Sequence, residues 1–484
     1  MIPTPALEIV VLVWGLLLLL VEAFADKVDK RAFAVAGIIG LCAVLAGSFF
    51  LVPPPPLATT GFWSFYTADP LAIFFKRFAL VTTIFVLIMA IDYAPAIRLG
   101  VPGLKPQSGL GEFFALPIFT CAGLMWMASA IDFVMIFVSL ELVTMSFYVL
   151  VTFTRRRPAT LEAGVKYLIL SALSTGFLVY GITWIFGVTG ETNLARIGAA
   201  IATQDLDRVP LLFGIALVLV ALGFKIAAVP FQLWVPDVYQ GAPTPVTAFL
   251  SVGSKAAGFV VLMRVLGPFL LLPQVGKLLV GVAALTLIYG NVAALPQTNL
   301  KRLLAYSSIA HAGYLLIGVV SFAGSAMAFY LVAYLLMTLL SFAVMIVVAD
   351  GGGEAIEDYV GLAKRSPFLA GAMLVGMLSL AGMPFTAGFL GKFFIFDAAL
   401  RQHQTLLVVI GVITVGCGFY YYLKVVRAMF WQEPPRDAPI LRVSALTRVA
   451  ICLLVAGILV LGVYPQPILN ALQPASVAAR ILLR

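Results

Sequence analysis

Apolar residues in this chain come in long unbroken runs, not in alternation. A helix needs about 20 mostly apolar residues to cross a bilayer, and runs of that kind recur about fourteen times. They fall near 5–24, 33–52, 71–91, 112–129, 132–153, 162–187, 211–238, 245–267, 275–295, 303–321, 327–349, 367–400, 404–429 and 446–466. The stretches between them are short; the longest polar ones are 92–111, 188–209 and 430–445. None is large enough to bury a core of its own. The pattern predicts an all-α polytopic membrane protein.

Two runs are too long for a simple span. The seventh contains LVALGFKIAAVPFQLWVPDVYQ, and the twelfth contains LSLAGMPFTAGFLGKFFIFDAAL. Proline removes a helix hydrogen bond, so Pro230, Pro236 and Pro384 predict kinks or breaks. Each run carries a Pro-Phe step and a lysine, and the two lie five segments apart. An odd number of helices per unit reverses the next copy. Interrupted helices in matching positions of two halves mark inverted-repeat transporter folds. The expected organisation is therefore three N-terminal helices (1–111) and a five-helix repeat (112–268). A second, inverted five-helix repeat (274–430) follows, then a loop with a last helix (431–484). The similarity between the halves lies in this pattern, not in residue identity.

Loop charge sets the expected orientation. Lys27, Lys30 and Arg31 follow the first run. Every second loop onward is again basic: Arg98 and Lys105; Arg155, Arg156 and Arg157; Lys301 and Arg302; Lys364 and Arg365; Arg427, Arg436 and Arg442. The loop 239–244 is the neutral exception, and residues 53–70 on the other side carry no basic group ahead of Lys76. Both termini are thus predicted outside the cytoplasm, with the first run kept as a helix and not cleaved as a signal peptide.

Composition narrows the classes further. The chain is 62% hydrophobic and 11% charged, where soluble domains carry about 25% charged residues. The net charge of +9 is spread over many short loops, which argues against a nucleic-acid partner. Cys42, Cys121, Cys417 and Cys452 are scattered through apolar runs with no CxxC pair, as small packing residues are. No dinucleotide fingerprint or phosphate loop is present, and the glycines at 351–353 read as a link. The chain itself is expected to bind no NADH, nucleotide or metal.

The informative residues are charges inside the runs. Glu141, Lys225, Lys255 and Lys392 fall in the fifth, seventh, eighth and twelfth. Together they cost about 10 kcal/mol on insertion scales. Removing an ammonium from water makes its proton easier to lose, while a neighbouring carboxylate holds it on. A Glu–Lys pair can therefore act as a switch. Arginine could not, because it stays protonated, and arginine here is largely confined to loops. Helix breaks also free backbone groups that can hold water along a proton path. Lys166 reads either as a channel lysine or as one snorkelling to the cytoplasmic face. His311, near Ser307, Ser308 and Tyr314, reads equally as a relay or as a hydrogen-bonded packing residue. Lys76 and Arg77 are expected at the outer interface, Asp397 near the outer end of its helix, and His403 in a loop.

SLELVTMSFYVL together with GFKIAAVPFQLWVPDVYQGAPTPV resembles the antiporter-like subunits of respiratory complex I. So do LPQTNLKRLLAYSSIAHAGY and LAGMPFTAGFLGKFF. The likeness spans about 65–430. It implies an antiporter-like fold of about 14 transmembrane helices, two inverted five-helix repeats and broken helices 7 and 12. Of the three such subunits, the longest carries extra C-terminal segments and the middle one a glutamate where Lys392 stands. The chain thus resembles the subunit N branch of bacterial NADH:quinone oxidoreductase. The resemblance implies that Glu141 and Lys225 are a switching pair, Lys255 the central relay and Lys392 the lysine toward the periplasmic exit. It places Lys166 near the channel and His311 as a connector. It also implies partners among other membrane subunits, including a neighbouring antiporter-like subunit and small membrane subunits, with lipids around them. NADH, flavin, iron–sulfur clusters and quinone would sit in other subunits. Related modules occur in cation/proton antiporters and membrane-bound hydrogenases. A self-contained secondary transporter is a further class, though no solute pocket is legible near the breaks.

Overall fold

The computed structural model describes residues 5–25, 29–50, 63–100, 110–269, 272–349, 353–434 and 441–471. Lys27, residues 53–56, Lys105, Gly351, Gly352 and Arg436 lie outside the described residues, as do both chain ends. The first eight helices are α1 (Ala6–Phe24), α2 (Arg31–Gly47), α3 (Pro70–Gly100), α4 (Leu110–Ser129), α5 (Phe133–Val151), α6 (Pro158–Thr189), α7 (Leu194–Thr203) and α8 (Arg208–Ile226). Then come α9 (Val235–Gly241), α10 (Thr244–Phe249), α11 (Lys255–Phe269), α12 (Pro273–Ala294), α13 (Leu300–Val320) and α14 (Gly324–Ala349). The rest are α15 (Leu362–Arg365), α16 (Pro367–Ala381), α17 (Ala387–Arg401), α18 (Thr405–Trp431) and α19 (Ala445–Val463).

Among the described residues 13 helices are long and apolar enough to cross a membrane. The split pair α16–α17 makes a fourteenth crossing. The seventh crossing is broken between α8 and α9 at Pro230, and the twelfth between α16 and α17 at Pro384, while Pro236 sits in the first turn of α9 instead of breaking a helix. α10 and α11 form one span joined by a π-helical turn, Leu250–Ser254. Such a turn inserts one extra residue and re-aims the side chains beyond it. The first residue beyond this one is Lys255.

Burial separates the helices into two classes. α13 is buried along its whole length, Arg302 in its first turn excepted, and α10–α11 and α14 nearly so. These form the axis of the molecule. α1, α2, α6, α18 and α19 expose much of their leucine, valine and isoleucine, as faces turned to lipid or to neighbouring subunits must.

The loops gather at two opposite ends. At the basic end Arg156 N–H bonds Gly100 O, Thr160 bonds Gly241 O, Gly361 N–H bonds Ala428 O and Ser444 bonds Asp92. The neutral loop 239–244 supplies acceptors to the basic residues of α13. Lys301 donates to Gln240 O and Ala242 O, and Arg302 to Gln240 Oε1 at 3.0 Å. At the other end Asn193 Nδ2 reaches Ser64 O, and short bridges join Tyr66 to Ala130 and Asp132 to Asn193. Arg264, near the end of α11, forks onto Asp69 at 2.8 and 2.9 Å and also takes Ala128 O. Burial pushes the Asp69 carboxyl up, but this guanidinium outweighs it and holds the group below its usual range. The contact is therefore present above the ordinary carboxylate range and weakens only in acid.

Two readings need correction. The polar stretch 188–209 contains a helix, α7, capped by Asn193 and burying Leu194, Ile197 and Ala200. Its ten residues are too few to span, and its alanines and glycine blur the periodicity. Lys76, expected to reach the outer interface, does not reach solvent. It is buried against Glu8 of α1 at 2.8 Å. Its neighbour Arg77 does turn outward, to Ser48 O at 2.8 Å and over the Phe49 ring.

Candidate functional site

Lys225 lies in the last turn of α8, just before the break. Its ammonium donates to Thr144 Oγ1 on α5 at 3.2 Å. Glu141, one turn before Thr144, accepts instead from Thr175 of α6 at 2.6 Å. No ion pair within 4.0 Å joins Glu141 to Lys225. The implied pair is thus indirect, held apart by two threonine hydroxyls. A small cavity beside Lys225 is lined by Thr144, Tyr167, Ser171, Ser174 and Thr175, the last of which bonds Glu141. Thr144 and Thr175 were not singled out in the sequence, where a threonine in an apolar helix usually just bonds its own backbone.

Lys225 also lies against α11. A methyl group at Gly258 would stand 3.3 Å from Lys225 Cγ, and Gly258 is one turn beyond Lys255. Lys255 donates to the backbone oxygen of Ser308 at 2.5 Å and also to its hydroxyl. Tyr239 of α9, in the second half of the broken helix, reaches the same hydroxyl at 3.4 Å. Next in the chain, Ser307 bonds the Tyr422 hydroxyl of α18. Tyr422 lies 3.2 Å from His311 Nε2, and Tyr330 of α14 lies 2.6 Å from His311 Nδ1. Both ring nitrogens of His311 are thus bonded to buried tyrosines. Two bonded segments therefore form a string along α13, Lys255–Ser308–Tyr239 and Ser307–Tyr422–His311–Tyr330, with no hydrogen bond joining Ser308 to Ser307 among the described residues.

Lys392 lies beyond that string, on α17. The last carbonyls of a helix lack intrahelical partners, and breaking the twelfth span exposes such carbonyls inside the protein. Lys392 Nζ takes two of them, Leu380 O and Ala381 O, at 2.9 Å each. Its ammonium stands 5.0 Å over the Tyr314 ring. Gly382 turns the chain with φ +92°, and a methyl there would meet Lys392 at 3.2 Å. Gly391 leaves no room for a methyl against Tyr330, so the His311 partner packs beside Lys392. At the first break the freed Phe224 O goes to Trp234 Nε1 at 3.0 Å instead. The two breaks are related in position but closed differently: one by an indole, the other by the lysine itself.

Lys166 stands apart from the three buried lysines. It is 40% exposed at the basic end and pairs with Glu162 at 2.7 Å and Asp237 at 2.6 Å. Asp237 also receives Arg302 at 2.9 Å. Asp237 was not singled out in the sequence, although it sits in a quoted motif. It ties α9 to both α6 and α13.

Known proteins share this outline. The family described as NADH:quinone oxidoreductase/Mrp antiporter, TM, matches residues 130–418. The chain is 40% identical over 479 residues to NADH-quinone oxidoreductase subunit N of Trichlorobacter lovleyi, covering 97% of this chain and 95% of that one. The chain belongs to the NADH-quinone oxidoreductase subunit N family. As a member of the subunit N family it also resembles a chain of respiratory complex I from Thermus thermophilus, with 32% identity and a TM-score of 0.81 over 96% of this chain and 98% of that one. A chain of the Mrp complex from Dietzia sp. shares the fold alone, at 20% identity and a TM-score of 0.83 over the full length of both. The solved relatives are parts of multi-subunit assemblies, so other membrane subunits are partners of subunit N. Lys225, Lys255, His311 and Lys392 lie inside the matched segment. Glu8 and Lys76 precede it.

Proposed function

We propose that this chain conducts protons across a bacterial inner membrane as the subunit N of a proton-translocating NADH:quinone oxidoreductase. Both termini lie on the periplasmic side, and the basic loops face the cytoplasm. NADH, flavin, iron–sulfur clusters and quinone work in other subunits. This chain contributes ionisable groups and the hydroxyls between them. A neighbouring antiporter-like subunit and small membrane subunits cover part of its exposed apolar faces, and lipid covers the rest.

The observation that carries this reading is the line Lys225, Lys255, His311, Lys392. Three lysines with no direct carboxylate partner among the described residues lie across the buried axis, two of them beside helix breaks. Insertion costs make such residues rare without function. Glu141 acts on Lys225 through the threonine-lined cavity. Their separation by hydroxyls gives the pair two states without a strong contact to break. Lys255 passes a proton to Ser308, and Ser307, Tyr422 and His311 carry the string on toward Lys392. Lys392 discharges toward the periplasm from the carbonyl cradle of α16. Lys166, Asp237 and Arg302 position the cytoplasmic half of the first broken helix.

The competing reading is a subunit of a cation/proton antiporter or membrane-bound hydrogenase built on the same fold. Purification of the tagged chain from its native membrane separates the two. The expected preparation reduces quinone with NADH and acidifies the vesicle side facing the periplasm. A preparation of antiporter-type subunits alone, exchanging sodium for protons without quinone reduction, contradicts the proposal.

A further inference from the structure

The central line leaves one buried charge pair unused. Glu8 of α1 and Lys76 of α3 are 0% and 1% exposed, with carboxylate and ammonium 2.8 Å apart. The Tyr66 hydroxyl serves both: it donates to Glu8 Oε1 at 3.1 Å and lies 2.5 Å from Lys76 Nζ. Ser129 reaches the same carboxylate oxygen at 3.5 Å. The three contacts to the carboxylate, from Lys76, Tyr66 and Ser129, all fall on Oε1. Glu8 Oε2 is buried and has no hydrogen-bond partner among the described residues.

Removing two charges from water costs several kcal/mol per ion, and an apolar pair of similar volume often holds helices together as well or better. A purely structural clamp between α1 and α3 therefore gives no reason for these two residue types. The uneven use of the carboxylate does. A proton on Oε2 would leave all the contacts to Oε1 in place. The site also lies toward the loop end of its helices, with Glu8 in the first turn of α1 and Ser129 the last residue of α4. Tyr66 stands at the bridge to Ala130, and Asp69, part-exposed at the same end, carries the Arg264 fork. The other ionisable group beside Glu8 is Cys121 of α4. α2, which packs on both helices, offers only Arg31 at its far end and exposed Cys42; α10 and α14 carry no charged side chain.

We infer that Glu8 is a second proton-binding site of this chain, outside the lysine line, exchanging a proton with the outer aqueous face past Asp69 and Arg264. The inference rests on the reading of the chain as a proton conductor. Loading forms an O–H bond at Oε2 while Lys76 stays an ammonium; release breaks the same bond. No electron moves.

The test uses the intact complex carrying Glu8→Gln, and separately the double change Glu8→Leu with Lys76→Leu. Infrared difference spectra across a pH titration are expected to show a protonated-carboxyl band in the wild type. That band shifts in heavy water and is lost in Glu8→Gln. The ratio of protons moved to quinone reduced is expected to fall in the same variant, with assembly unchanged on native gels. Identical spectra in wild type and Glu8→Gln overturn the inference. So does an unchanged ratio in Glu8→Gln, or in a double variant that assembles. If Glu8→Gln pumps normally while Lys392→Arg does not, this site fails and the central line stands.

Discussion

Lys392→Arg is expected to stop proton translocation as completely as Lys392→Met, with a loss of at least about tenfold, or roughly 1.4 kcal/mol in the barrier. The comparison separates charge from proton exchange. Lys392 holds Leu380 O and Ala381 O, the open end of α16. Methionine would leave both carbonyls unsatisfied, at about 1–3 kcal/mol each. A defect in that variant alone could come from a loosened break. Arginine keeps a positive charge and several donors, so it can satisfy the carbonyls, but it does not give up its proton. The measurement is dye-reported acidification of sealed vesicles, normalised to quinone reduction. A Lys392→Arg complex that pumps at the wild-type ratio would mean that Lys392 is only an electrostatic and structural brace.

Glu141→Gln is expected to slow coupled turnover by about tenfold. Glutamine can still accept from Thr175, so the fold around α5 and α6 is kept while the charge goes. Because Glu141 and Lys225 are not in direct contact, the structure adds a companion result. Thr144→Val removes the hydroxyl that Lys225 bonds and should impair turnover to a similar degree, although the shape is nearly unchanged. A direct-pair mechanism would leave Thr144→Val close to wild type. Steady-state quinone reduction, with and without an uncoupler, reads both variants: a relay defect slows the coupled rate, and a folding defect lowers the amount of assembled complex.

Much of this was legible in the residue order, for a physical reason. Crossing a bilayer demands a run of apolar residues, and a proline or a charge within one is costly wherever it falls. The spans, both breaks and the central lysines could therefore be read one helix at a time. What escaped depends on partners brought in from other helices. Ser307 and Tyr422 are 115 residues apart, and Glu8 meets Lys76 only because α1 and α3 both pack on α4 and α2. Lys76 was expected to reach the outer interface because a lysine early in a span usually snorkels; a glutamate on a distant helix buries it instead. Thr144 and Thr175 carry no mark of their own in the sequence, and Asp237, a charge at the very end of the seventh run, was passed over because it sits beside the loop. The π turn before Lys255 has no signature either, since its residues, LSVGS, would serve equally in an α-helix.

The central claim is that buried lysines of this chain change protonation during turnover. Nitrogen-15 solid-state NMR of the lysine-labelled complex in lipid measures that directly, because ammonium and amine nitrogens resonate apart. Single lysine-to-arginine variants assign the signals of Lys225, Lys255 and Lys392. The account predicts that at least one of the three converts between ammonium and amine when quinone reduction is started. All three remaining ammonium, at rest and in turnover, would contradict it.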